Sequence, residues 1–478
     1  MVGALAASCW DDDVEVLDLL STGLGQPSSR RPVRRVAVYY HTLGTGGAER
    51  VTLDLAALWR SMGLEVLVIC DEGRTANVAL PAGASLATVP DAFVSDRERY
   101  ATRGAALASV LEEFAPDCLV YGAWLSSTIA WDLLVCKSLG VPFVAFCHGS
   151  HRALTGWGDP RALRIPSIYR HVDAVMCLSR DDQEFWSSFN PHAFRTVNAA
   201  DEAFLASGPA PLDGHRILCV GRIASDKSPV EALDVLREVR HHVPDATLEF
   251  VGPFGDYDRA WFEGQARDRG VLEAVSFRGG VPHDELPAVM REGSVLLLTS
   301  HFEGYPVTVA EAKACGLPCA CYDLGYLTLL EGYRGVLCAP VGDVGGLARQ
   351  VSSLLSDDHL RQRLGAEARA HARELANFDF EGLWLEVFAT VSGDGLGAGE
   401  DRAGYLVSSM LREADRMVEE ARRERDALHD ELTSQRRLAA DLKEQLDDVV
   451  GSVSFRIGRA LTALPRHARD LLRRTRRA

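Results

Sequence analysis

Residues 295–318 read VLLLTSHFEGYPVTVAEAKACGLP. The opening run, Val295–Thr299, is short and wholly apolar until its last residue, as a strand buried on both faces must be. Polar and small residues occupy Ser300 to Gly304. Pro306 then opens a helical pattern and Gly316 closes it. Proline suits a first helical turn, and glycine suits the position just past the last one. The stretch is a strand, a turn and a helix, the repeating unit of a parallel, doubly wound sheet. It puts Glu303 on the loop before the helix and Glu311 more than one turn inside it. Two carboxylates so placed can address different hydroxyls of one ligand, while the helix start favours a phosphate. The plainer reading makes Glu311 an ordinary surface acid.

The same unit recurs in both directions. Strands are expected at Arg35–Tyr40, Glu65–Cys70, Cys118–Tyr121, Phe143–Cys147 and Ala174–Leu178, with a helix from Ala48 to about Met62 closed by Gly63. The alternation restarts at Arg216–Val220 and continues through Thr247–Val251, Val275–Phe277, Val295–Thr299 and Pro318–Tyr322. Two αβ domains of similar size follow, since about 180 residues per half exceeds what one shared core most simply explains. A Gly-rich linker follows near Ser392–Gly399. Beyond it, apolar residues recur at alternating steps of four and three from Val407 to Val453, the seam of a coiled coil. The last stretch mixes apolar residues with eight arginines, which suits an interfacial helix on an anionic surface as well as a basic tail.

Two further strand-to-helix turns carry chemistry. Gly44-Thr45-Gly46-Gly47-Ala48-Glu49 follows the first strand. Its glycines let backbone N–H groups approach a phosphate, although Glu49 stands where a dinucleotide fingerprint needs a third glycine. Gly221-Arg222-Ile223-Ala224-Ser225-Asp226-Lys227 follows the first strand of the second domain. Ser228-Pro229-Val230-Glu231 then reads as a capping box that starts a helix just after Lys227. Arg222 and Lys227 would flank a diphosphate at the carboxyl end of that strand. The chain has four lysines (137, 227, 313 and 443), so a lysine inside such a turn is informative.

The chain has 478 residues, 47% of them hydrophobic and 25% charged, with a formal charge of −16. Wholesale disorder is excluded, and an acidic body argues against general nucleic-acid binding. The charge is uneven, since residues 451–478 carry eight Arg against one Asp. Eleven Cys, most of them inside apolar runs, read as core residues of a reducing compartment. No run of 18 apolar residues occurs, and the first residues lack the basic start of a signal peptide, so a cytoplasmic chain is expected. Asp256-Tyr257-Asp258 spells a carboxylate metal motif beside Arg259, but a metal role is disfavoured there.

Three turns in this order, Thr45-Gly46-Gly47-Ala48-Glu49-Arg50, then Gly221-Arg222…Lys227, then Glu303 and Glu311 separated by seven residues, resemble the retaining glycosyltransferases of family 4 (glycosyl transferases group 1). The resemblance covers about residues 34–390. It implies the GT-B fold, two Rossmann-like domains facing a cleft. The implied divisions are an extension 1–33, an acceptor-side domain 34–197, a nucleotide-sugar donor domain 198–391, a linker 392–404, a coiled-coil-like helix 405–453 and a basic amphipathic tail 454–478.

The resemblance also implies roles. Arg222 and Lys227 would bind and stabilise the departing diphosphate, and Glu311 would accept from the donor ribose. Glu303 would hold hydroxyls of the transferred sugar, with backbone N–H groups of Gly304, Tyr305, Pro306-Val307 nearby except at the proline. Gly46 and Gly47 would pack on the phosphates from the opposite domain. His148 would lie near the reacting sugar, and the segment Phe277-Arg278-Gly279 by the nucleobase. Tyr305-Pro306 departs from the aromatic-Gly pair usual in the family.

The implied reaction moves a hexose-type sugar from a nucleotide-sugar, UDP-sugar favoured, to a lipid-linked or cell-envelope polysaccharide acceptor. It needs no metal and no cofactor. An anionic membrane surface at 454–478 and a homo-oligomer through 405–453 are the other partners expected, with the protein cytoplasmic and peripheral on the inner face of the plasma membrane. The rival readings are a GT-B epimerase acting on a UDP-N-acetylhexosamine without acceptor, and an NAD-dependent oxidoreductase using the Gly44–Glu49 turn.

Overall fold

The computed structural model describes residues 16–17, 19–20, 32–44, 46–75, 79–93, 97–156, 160–393 and 435. The expected linker, coiled coil and basic tail lie outside them, apart from residues 392–393 and Gln435, as does most of the expected extension.

The first sheet is parallel and seven-stranded, in the order β3-β2-β1-β4-β5-β6-β7. Its strands are β1 (Arg35–Tyr39), β2 (Glu65–Asp71), β3 (Ser85–Val89), β4 (Cys118–Tyr121), β5 (Phe143–Phe146), β6 (Ala174–Cys177) and β7 (Ala193–Arg195). The second is parallel and six-stranded, in the order β10-β9-β8-β11-β12-β13. It comprises β8 (Arg216–Val220), β9 (Thr247–Val251), β10 (Val275–Gly279), β11 (Val295–Leu298), β12 (Cys319–Tyr322) and β13 (Val336–Ala339). The central strands β1, β4, β5 and β11 are continuous apolar runs because helices cover both of their faces.

Three helices place the site. The first, α1 (Gly47–Ser61), follows β1; α2 (Pro229–Val239) follows β8; and α3 (Val307–Ala314) follows β11. All begin at the carboxyl ends of their strands, where open α/β sheets bind ligands. A last helix, α4 (Phe380–Ser392), returns to the first lobe, where Trp384 meets Trp59 edge-on at 4.8 Å. Residues 380–391, assigned from sequence to the second domain, pack on the first lobe through Trp59.

Two further expectations are corrected. The capping box at Ser228 does not form. Ser228 adopts a left-handed conformation (φ 46°) and its side chain caps nothing. Glu231 instead accepts from the Tyr322 hydroxyl and pairs with His301 at 2.7 Å. Strands β3, β7 and β13 were not foreseen. β3 is largely exposed and β7 only half-buried, so both lack the apolar signature of central strands. No helix among the described residues is long and apolar enough to cross a membrane.

Candidate active site

The loop after β8 is built to aim a cation. Gly221 takes φ +137°, and a Cβ on Gly252 would lie 2.0 Å from the Gly221 carbonyl oxygen, so the two strand ends touch through glycine. Asp256 accepts from the Ser225 N–H at 2.9 Å and from its hydroxyl. The Thr299 hydroxyl, at the end of β11, donates to the Lys227 carbonyl at 3.0 Å. Lys227 Nζ then reaches Glu303 Oε1 at 2.7 Å and Oε2 at 3.0 Å. The motif lysine and the motif carboxylate meet, 76 residues apart in sequence.

Arg222 is more open. Its guanidinium is 61% exposed and lies 3.5 Å from Asp226. Its stem packs on Gly255, where a Cβ would sit 3.0 Å from Arg222 Cγ. Its charge nonetheless acts on Glu49 of the other lobe, lowering a carboxyl pKa that burial raises more.

The loop from β11 to α3 carries both acids. Glu303 is 6% exposed and Glu311 is 5% exposed, so the surface-acid reading of Glu311 does not hold. The Tyr326 hydroxyl donates to the Glu303 carbonyl at 3.0 Å and accepts from its N–H at 3.2 Å, which clamps that backbone. Burial pushes the Glu311 carboxyl up to about 7, against the attraction of Arg50. Tyr305 is buried in the core, so only its backbone is available to a ligand at the helix start.

The opposite lobe closes over this loop. A Cβ on Gly304 would lie 2.4 Å from the His148 carbonyl oxygen, and a Cβ on Gly47 would lie 3.1 Å from Val307 Cγ2. Gly47 and Val307 are the first residues of α1 and α3. Two helix N-termini therefore face one another across the cleft, each the positive end of its helix dipole. Glu49 folds back into this position, its Oε2 2.2 Å from where a Cβ of Gly46 would be. The His148 ring is half-buried and stacks on Phe146 at 4.2 Å, and its Nδ1 has no hydrogen-bond partner. The surrounding protein desolvates it and lowers its pKa to about 3, so the imidazole is neutral at pH 7.

Of the sequence-singled residues, Lys227, Glu303, Glu311, Gly304, Val307, Gly46, Gly47 and His148 gather at one cleft, with Arg222 at its edge. Arg278 does not join them as expected. Its guanidinium is paired with Glu249 at 2.8 Å and with Glu292 at 2.5 Å. The Asp256-Tyr257-Asp258 carboxylates serve the backbone, Asp258 as the cap that accepts from Trp261 N–H. No cluster of metal-ligating side chains occurs among the described residues.

Sequence reasoning missed an ionic cluster that joins the lobes. Arg50 of α1 pairs with Asp201 at 2.5 Å, and His283 lies 3.8 Å from Asp201 and 3.9 Å from Glu311. Arg50 directly follows the glycine turn, which was the available signal. Asp201 and His283 carried none.

Two family models match in succession, Glycosyltransferase Family 4 over residues 45–197 and Glycosyl transferases group 1 over residues 201–371. A glycogen synthase of Mycobacterium tuberculosis is 36% identical over 285 residues, 56% of this chain and 66% of that protein. A D-inositol 3-phosphate glycosyltransferase of Jonesia denitrificans is 28% identical over 288 residues, 52% of this chain and 66% of its own length. Each match thus spans just under two thirds of the relative. Among solved structures, a sucrose-phosphate synthase from Thermosynechococcus elongatus superposes with a TM-score of 0.61 at 17% identity, covering 74% of this chain and 97% of that one.

Proposed function

The chain belongs to glycosyltransferase family 4, and from that premise we propose that it transfers a hexose-type sugar, with retention, from a nucleotide-sugar to a glycan or lipid-linked acceptor. The observation that carries this reading is the convergence of Lys227, Glu303 and two opposed helix N-termini at the cleft. A diphosphate would be held there by the positive ends of α1 and α3 together with the Lys227 ammonium.

As the bond from the anomeric carbon to the diphosphate oxygen breaks, negative charge grows on the phosphate. Lys227, Arg222 and the helix starts stabilise that charge without reorganising, and they do so best in a cleft that excludes water. Such a set of donors provides the electrostatic work without a metal ion. The acceptor hydroxyl attacks from the face the diphosphate leaves, and its proton passes to a phosphate oxygen. One glycosidic bond forms as one glycosyl–phosphate bond breaks, and configuration is kept.

Glu303 holds hydroxyls of the transferred sugar once Lys227 turns to the phosphate. Glu311 accepts from the ribose. His148, being neutral, offers a hydrogen bond rather than a proton. A UDP-sugar is the donor we favour. Attachment of residues 454–478 to an anionic surface, and pairing through 405–453, would bring this cleft to an envelope acceptor.

The test is a panel of UDP- and GDP-hexoses incubated with full-length protein, with the anomeric configuration of the product or released sugar read by proton NMR. Transfer or hydrolysis with the donor's own configuration supports the reading. An inverted first product, or no turnover of any donor, opposes it.

A further inference from the structure

We propose that the interlobe cavity flanked by Arg152 and Tyr326 takes the acceptor, and that the unit seated there is an uncharged, hydroxyl-rich glycan unit rather than a phosphorylated one. The inference rests on the transferase reading above and adds the acceptor's chemistry to it.

The cavity has a volume of about 550 Å³ and draws its walls from both lobes. That size is ordinary for a small-molecule site. It borders the reaction centre through Tyr326. The tyrosine hydroxyl clamps the Glu303 backbone, while Arg152 lies over its ring at 4.9 Å. Arg152 is four residues past His148, on the loop whose backbone touches Gly304. Lys227 engages the Glu303 carboxylate and Tyr326 engages its backbone. Diphosphate, transferred sugar and cavity are therefore linked through one residue.

The wall chemistry selects the ligand. Arg152, Arg180, Asp181, Glu184 and Glu331 line it, two cations against three carboxylates. Arg152 already pairs with Asp181 at 3.0 Å, and Glu331 with Arg195 at 3.4 Å. A sugar hydroxyl both donates and accepts, so it bonds to carboxylate and guanidinium alike without breaking these pairs. A phosphomonoester carries about −1.5 to −2 at neutral pH. To bind here it would have to draw Arg152 from Asp181 or Arg195 from Glu331, beside the Glu184 carboxylate.

The experiment uses full-length protein saturated with UDP on an array of neutral oligosaccharides and their phosphorylated counterparts. Binding of neutral members is expected, weakened on the order of 10-fold by Arg152→Ala or Tyr326→Ala. The exposed Glu184→Lys variant is expected to gain binding to phosphorylated members. Binding confined to phosphorylated glycans, no binding of any neutral member, or neutral binding that survives both alanine variants overturns the proposal. Donor turnover, measured separately, tells this failure from a failure of the transferase reading. With turnover intact only the acceptor assignment falls, and without it both fall.

Discussion

Lys227 Nζ lies 2.7 Å and 3.0 Å from the two carboxylate oxygens of Glu303, joining the loop after β8 to the loop after β11. The pair is neutral overall and spans the place where a sugar and its phosphate would meet. A bound diphosphate offers Lys227 a second, more highly charged partner. The lysine then exchanges or shares its contacts, and Glu303 gains capacity to accept from sugar hydroxyls.

Removing either member should therefore do more than remove a contact. Lys227→Ala leaves the 7%-exposed Glu303 carboxylate without its cation and the leaving group without its stabiliser. We expect kcat to fall on the order of 10² to 10³-fold, as when a preorganised donor to a developing anion is lost. Lys227→Arg should recover part of it. Steady-state kinetics with a saturating donor reads the effect.

Glu311 gives the donor site a pH dependence. Its carboxyl titrates at about 7. Above that pH the anion accepts two hydroxyl bonds; below it one oxygen carries a proton. Donor affinity should fall as pH drops below about 7, by at most ~10-fold per unit for a single group. Titration calorimetry from pH 5.5 to 8.5 checks this, and Glu311→Gln should flatten the profile.

The glycines at the lobe contact are expected to be intolerant. Gly304→Ala places a methyl 2.4 Å from the His148 carbonyl oxygen, a backbone atom that cannot rotate away. The lobes must part by an ångström or more, and misplacement of that size can cost about 10² in rate. kcat/KM should collapse with little change in thermal stability. Gly47→Ala meets only the Val307 side chain at 3.1 Å and should be milder.

Lys313 makes a prediction about stability. It is fully buried on α3, donates to the Leu329 carbonyl and lies 3.0 Å from His371 Nδ1. Burial lowers its pKa to about 8. The unfolded chain binds this proton up to about pH 10.4 and the folded chain only up to about 8. The penalty is thus fully present below pH 8 and fades as pH rises from 8 to 10.4. Lys313→Met should stabilise by roughly 1–2 kcal/mol at pH 7, the charge penalty relieved less the lost hydrogen bond. Melting curves should show this advantage shrinking above pH 8 and gone or reversed by about pH 10.4.

The strand-to-helix turns were legible because each combines an apolar run, a glycine and a helix start within a few residues. Lys227 and Glu303 could be named for that reason, but not their direct bond, which depends on two loops brought side by side by β8 and β11. Arg278 shows the limit. The family resemblance implied a ligand contact for it, while Glu249 and Glu292, neither adjacent in sequence, decide where its guanidinium goes. Strands β3 and β7 were invisible because half-exposed edge strands carry mixed polarity. The Arg50–Asp201 link was beyond reach for the same reason as the lysine bond, since it is a contact across 151 residues.

The central claim is that this cleft grips a nucleoside diphosphate. Titration calorimetry of UDP, GDP, ADP and dTDP into full-length protein, repeated on Lys227→Ala and Glu311→Ala, tests it most directly. One of these nucleotides should bind at a single site, and each substitution should weaken it by about 10-fold or more. Absence of binding by all four, or equal binding by wild type and both variants, would contradict the account.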